Sequence, residues 1–126
     1  MLQNRAVRLI TRSPFRSSVS PLFKQLHLIK VVDIRKLQIS LFMFKHRNAL
    51  LPVSCMHYCT TYVHNTYNMR SNHDFVSPPY RTHLREQSIS VSDPMLWESL
   101  PIALRLCESL NMFKRAVREH FLSMYL

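Results

Sequence analysis

No glycine occurs anywhere in the 126 residues of this chain. Average usage of about 7% would supply roughly nine. Its absence excludes every phosphate cradle built on glycine, P-loop and dinucleotide fingerprint alike. Left-handed helix caps and two-residue hairpin turns normally rest on glycine too. Neither is therefore expected. Turns must rest on the seven prolines and on Asn, Asp and Ser.

A chain of this length forms at most one domain, with a modest core. Its apolar content of 47% is that of a globular protein rather than a disordered tail. No apolar run approaches the ~18 residues that a bilayer span requires. The net charge of +10 is uneven. Residues 1–50 hold ten Lys/Arg against one acid, Asp33, whereas residues 51–126 hold seven against six. A one-sided cationic excess attracts polyanions, either nucleic acid or an anionic membrane surface.

Periodicity and capping divide the chain into a basic helical part (1–52), an irregular middle (53–92) and carboxy-terminal helices (93–126). Leu2 to Thr11 reads as a helix with Arg5, Arg8 and Arg12 along one side, ended by Ser13-Pro14. Ser20-Pro21 opens a second helix with Leu22, Leu26 and Ile29 as its stripe. Asp33 reads as the N-cap of the strongest helix, striped by Ile34, Leu37, Leu41 and Phe44 and stopped by Pro52. In the middle, Ile89 and Val91 alternate with serines, so Gln87 to Ser92 reads as a short extended segment. Asp93-Pro94 then reads as a helix start, and Ser109 caps a last helix. Trp97, Leu100, Pro101, Leu110, Phe113, Val117 and Phe121 are the expected core, with Met124 continuing the stripe. The fold class is mainly α: a small helical domain with an irregular or weakly extended central segment.

The three cysteines, an odd number, suit a reducing compartment better than a disulfide scaffold. Cys55 and Cys59, with His57, His64 and His73 nearby, raise the question of zinc, but their spacing matches no standard finger or knuckle, and no metal site is expected. No cysteine, base and orienting acid fall at a spacing legible as a nucleophilic site. The chemistry that does stand out is cationic. Arg5, Arg8, Arg12, Lys24, Lys30, Arg35, Lys36, Lys45 and Arg47 could track an RNA or DNA backbone non-specifically, and His57, Tyr58, Tyr62 and Tyr67 could stack on unpaired bases.

Four blocks carry a family resemblance. They are Leu2-Gln3-Asn4-Arg5-Ala6-Val7-Arg8-Leu9-Ile10-Thr11; Ser20-Pro21-Leu22-Phe23 through Leu26, Leu28, Ile29 and Asp33-Ile34; His64-Asn65-Thr66-Tyr67-Asn68-Met69-Arg70-Ser71; and Asp93-Pro94-Met95-Leu96-Trp97-Glu98-Ser99-Leu100-Pro101 followed by Phe113-Lys114-Arg115. In this order they resemble the carboxy-terminal, post-palm region of a non-LTR (LINE-type) retrotransposon reverse transcriptase. That family often has threonine where Met69 stands, and usually glycine where Asp93 stands and asparagine where Glu98 stands. The resemblance implies a thumb-side segment that contacts template or primer backbone and packs against palm and thumb regions missing from this chain. It also implies an RNA-directed DNA polymerase as parent, whose adjacent aspartates hold catalytic magnesium. The aspartates here are Asp33, Asp74 and Asp93, none adjacent to another, so no catalysis is expected and magnesium would belong to the missing region.

The expectation is thus a catalytically incomplete polymerase fragment that keeps weak nucleic-acid binding. The alternative is a structural or interaction remnant of a mobile element with no selected activity. Residues 1–20 are also Arg-rich, Ser-rich and free of acids, the profile of a mitochondrial presequence. An intracellular location, nuclear or cytoplasmic, is expected, with mitochondrial import as the second reading.

Overall fold

The computed structural model describes residues 2–61 and 74–125. Its elements are α1 (Leu2–Ile10), α2 (Ser20–Gln25), α3 (Val31–Arg47), a 3₁₀ segment (Val53–Tyr58), β1 (Thr60–Thr61), β2 (Phe75–Val76), α4 (His83–Glu86), α5 (Ile89–Ser99), α6 (Ile102–Arg105) and α7 (Leu110–Ser123). The fold is mainly helical. The strands form one two-residue antiparallel ladder, Thr60 against Val76 and Thr61 against Phe75.

The first three helices all end the same way. After α1, the amide of Arg12 donates to the Leu9 carbonyl and that of Ser13 to Arg8. After α2, His27 donates to Lys24 and Leu28 to Phe23; after α3, Ala49 donates to His46 and Leu50 to Lys45. Each is a Schellman ending, which needs a left-handed residue at its centre. Arg12, His27 and Ala49 supply it, with φ of 50°, 50° and 54°. Left-handed caps were not expected in a glycine-free chain. They form because two bonds to otherwise orphaned carbonyls offset the steric cost of a side chain at positive φ.

α3 is the central strut and packs on both α5 and α7. Leu37, Ser40, Met43, Phe44 and His46 are its buried residues, so the inward face is turned from the expected stripe and leaves Ile34 exposed. The core is an aromatic chain. Phe44 stacks on Phe113 at 4.4 Å between ring centroids; Phe113 meets Trp97 at 5.6 Å; Trp97 meets Phe75 edge-on at 6.1 Å; Phe75 meets the buried His46 ring at 5.4 Å. Trp97, Leu100, Phe113, Val117 and Phe121 are buried, and Leu110 is half-buried against the same cluster.

Pro101 is exposed instead. It is the N-cap of α6, where its ring lies outside the helix, and the inward position falls to Leu100. Met124 is exposed as well, because α7 has ended and the chain turns Tyr125 inward. The Tyr125 hydroxyl donates to Asp33 Oδ2 (2.7 Å) and accepts from the Lys30 amide (3.0 Å). This fastens the end of the chain to the first turn of α3. Asp33 therefore sits inside α3 rather than capping it; the cap position is Lys30. A carboxylate in that turn still suits the positive end of the helix.

The region 87–92 is not extended. α5 begins at Ile89, so Asp93 and Pro94 lie buried within a helix instead of opening one. The serines that imitate strand alternation bond locally: Ser92 Oγ donates to the Ser88 carbonyl at 3.0 Å and to Asp93 Oδ1 at 3.0 Å. Val91, fully buried, anchors the turn. The irregular middle is consequently shorter than 53–92, since α4 and the first turn of α5 fall within it.

Candidate nucleic-acid interface

The nine cations singled out in the sequence divide by what they touch. Lys30 is structural. Its ammonium lies 4.5 Å from the Tyr125 ring centroid and 5.9 Å from that of Phe23, and donates to Ser20 Oγ at 3.1 Å. Lys36 pairs with Asp33 at 3.2 Å. Arg47 pairs with Asp74 at 3.5 Å and donates to the Arg105 carbonyl at 2.5 Å. Arg35 is exposed, and its charge reaches the Asp93 carboxyl. Lys45 is half-buried in the last turn of α3. Arg5, Arg12 and Lys24 are exposed and form no ion pair or side-chain hydrogen bond among the described residues. Arg16, passed over in the sequence, belongs with them.

The acids explain this division. Asp74 accepts the Trp97 Nε1 hydrogen at 2.8 Å and lies 3.7 Å from Arg105, which bonds Glu98 at 2.7 Å. Glu98 in turn accepts the Asp74 amide at 2.8 Å. This network joins α3, α5 and α6 to Asp74, the residue before β2. Asp33 is held by Tyr125 and Lys36, and Glu86 by His83 at 3.2 Å. Most carboxylates are thus engaged within the fold, and Arg5 of the first helix and Arg12 and Arg16 of the loop that follows it face solvent.

Four residues converge with Arg8 at that end of the molecule. Leu2, Asn4, Arg5, Arg8 and Phe15 line a cleft of about 320 Å³. Arg8 ties the loop to the helix: its Nη2 donates to the Ser17 carbonyl at 3.2 Å and its guanidinium lies 5.6 Å from the Phe15 ring centroid. Its Nε is buried without a partner among the described residues. Phe15 is 81% exposed. Sequence reading missed Phe15, although an aromatic ring in a loop bounded by Pro14 and Ser17 has little with which to bury itself.

The stacking candidates fare differently. His57 and Tyr58 are exposed on the 3₁₀ segment with ring centroids 4.5 Å apart. Tyr62 and Tyr67, with the whole block His64–Ser71 and His73, lie outside the described residues.

Two further groups are buried and chemically quiet. Burial, and secondarily the Asp93 charge, push the Cys59 thiol up to about 11, so it stays neutral; its sulfur lies 4.0 Å from Met43 Sδ. Burial also raises the Asp93 carboxyl above its ordinary range, against the opposing pull of Ser92 and Arg35. Among the described residues no three His, Cys, Asp or Glu side chains are grouped to hold a metal ion, and no helix is long and apolar enough to cross a membrane. No family model, curated protein or solved structure matches the chain.

Proposed function

We propose that this chain is a non-catalytic, basic helical module that binds the backbone of RNA or DNA through its amino-terminal half. By its sequence blocks it resembles the post-palm end of a LINE-type reverse transcriptase, and we read it as a fragment of such an enzyme. The observation that carries the reading is the uneven use of charge. Most carboxylates are engaged within the fold, whereas Arg5, Arg12, Arg16 and Lys24 stand exposed and unpaired among the described residues. Such cations supply affinity by releasing counterions, with little regard to base sequence.

The test is fluorescence anisotropy with a labelled single-stranded RNA across a salt series. About three phosphate contacts give a slope of log affinity against log salt near −2. Absence of binding at low salt, or binding indifferent to salt, defeats the reading. Primer extension on an RNA template with magnesium is the companion assay: the isolated chain should add no nucleotide.

A second reading has its own support. Leu2, Leu9, Ile10, Val31 and Val32 are exposed, and Gln3 links the two groups by bonding both the Ile29 carbonyl and the Val31 amide at 3.1 and 3.0 Å. Apolar side chains left bare on adjoining helix ends suit a surface that docks on the missing palm or thumb.

A further inference from the structure

We infer that the cleft between α1 and its following loop is a single-nucleotide site: an unpaired base stacks on Phe15 while its phosphate lies on Arg5. The inference rests on the nucleic-acid reading and deepens it by naming where a base is held.

Three observations converge. First, Phe15 is bare, yet it is not loose. The Arg8 guanidinium sits against its ring, and the same guanidinium holds the Ser17 carbonyl, so helix and loop present the ring together. A held aromatic plane is what base stacking requires, and every base has a face to offer it. Second, the other lining groups suit the rest of a nucleotide. Arg5, unpaired among the described residues, is a cation for the phosphate, the Asn4 amide can both donate and accept at a base edge, and Leu2 gives an apolar wall to the sugar. Third, no acid occurs before Asp33, so nothing in this stretch repels a phosphate.

An anionic membrane is the competing ligand for a basic helix with exposed apolar side chains. Arg8 argues against it here. A guanidinium beside an inserted ring must swing away to the headgroups, whereas Arg8 is held against Phe15 and on the Ser17 carbonyl. A phosphate-bearing aromatic ligand accepts both groups at once. Arg8 acts as a positioning residue for the ring, and Phe15 and Arg5 are the contacts.

The experiment uses the full chain with two probes of equal length: labelled oligouridylate RNA and the corresponding abasic oligomer. Phe15→Ala should weaken binding of oligouridylate on the order of tenfold and leave the abasic oligomer unaffected, because only the stack is lost. Phe15→Trp should retain the affinity, and its indole emission should be quenched on binding RNA but not the abasic strand. Arg5→Gln should weaken both probes and reduce the salt slope by about 0.7. Circular dichroism of each variant should match the parent, since both side chains are exposed. Equal binding by Phe15→Ala and parent, with the salt slope intact, overturns the site and spares the general reading. Equal loss on both probes overturns the stack. Failure of the parent to bind either probe sinks both. Phe15-dependent binding to phosphatidylserine vesicles, with none to RNA, assigns the cleft to a membrane and overturns the proposal.

Discussion

Arg12, His27 and Ala49 each stand where most chains would place glycine. A side chain in the left-handed region costs roughly 1 to 2 kcal/mol, and part of that is returned because a non-glycine residue has less freedom to lose on folding. Ala49→Gly should therefore stabilise the fold by about 0.5 to 1 kcal/mol, read as a shift of the urea midpoint. Ala116→Gly, inside α7, should destabilise by about 1 kcal/mol, so the pair separates conformational strain from a general effect of glycine. An Ala49→Gly variant no more stable than the parent would show that the left-handed turn is not strained. Asp93 makes a second residue-scale prediction. Its carboxyl titrates higher in the fold than in the unfolded chain. The folded state thus holds this proton more tightly, and the associated stability is complete below the unfolded value near 3.8 and lost as pH rises through the folded one. Asp93→Asn should remove that loss. The difference in thermal midpoint, variant minus parent, should grow in the variant's favour from acid to neutral pH. A difference independent of pH would mean that the carboxyl is not perturbed.

At the scale of elements, much of the helical order was legible because it rests on local chemistry. Ser109 caps α7 through the Met112 amide at 3.3 Å, and the stripe Phe113, Val117 and Phe121 is buried as its spacing implies. The start of α5 was not legible, since its serines alternate with Ile89 and Val91 as in a strand, and Asp93-Pro94 imitates a helix start. Tertiary burial of Val91 and Trp97 overrides both signals. The cleft was half legible. Arg5 and Arg8 follow from helical spacing, but Phe15 lies beyond the end of α1 and comes beside Arg8 only through the turn at Arg12. Trp97 is where α5 meets the rest of the fold: its ring packs on Phe75 and Phe113, and its Nε1 bonds Asp74. Trp97→Ala should cost about 3 to 5 kcal/mol. Trp97→Phe, which keeps an aromatic ring and loses the bond, should cost roughly 1 to 3 kcal/mol. Denaturant unfolding of both reads the difference, and an unchanged midpoint for Trp97→Ala would deny α5 this role.

For the whole molecule, folding and binding draw on the same charges in opposite ways. The surplus of cations over acids, +10 in all, repels itself more strongly once the chain is compact. The ion pairs that hold the fold together, Asp74 with Arg47 and Arg105 and Glu98 with Arg105, are partly withdrawn from solvent and are screened less than the exposed arginines. Raising salt from about 50 mM to about 200 mM should therefore raise the thermal midpoint while it lowers affinity for RNA. The two responses share a cause, and one double variant should move both. Replacing Arg5 and Arg12 by Gln removes repulsion without breaking a side-chain bond among the described residues, so the variant should melt higher than the parent at low salt and gain less from added salt. It should also bind RNA more weakly. Calorimetry and anisotropy on the same samples test the link. A variant that binds more weakly but melts and responds to salt as the parent does would show that these arginines serve the ligand without burdening the fold.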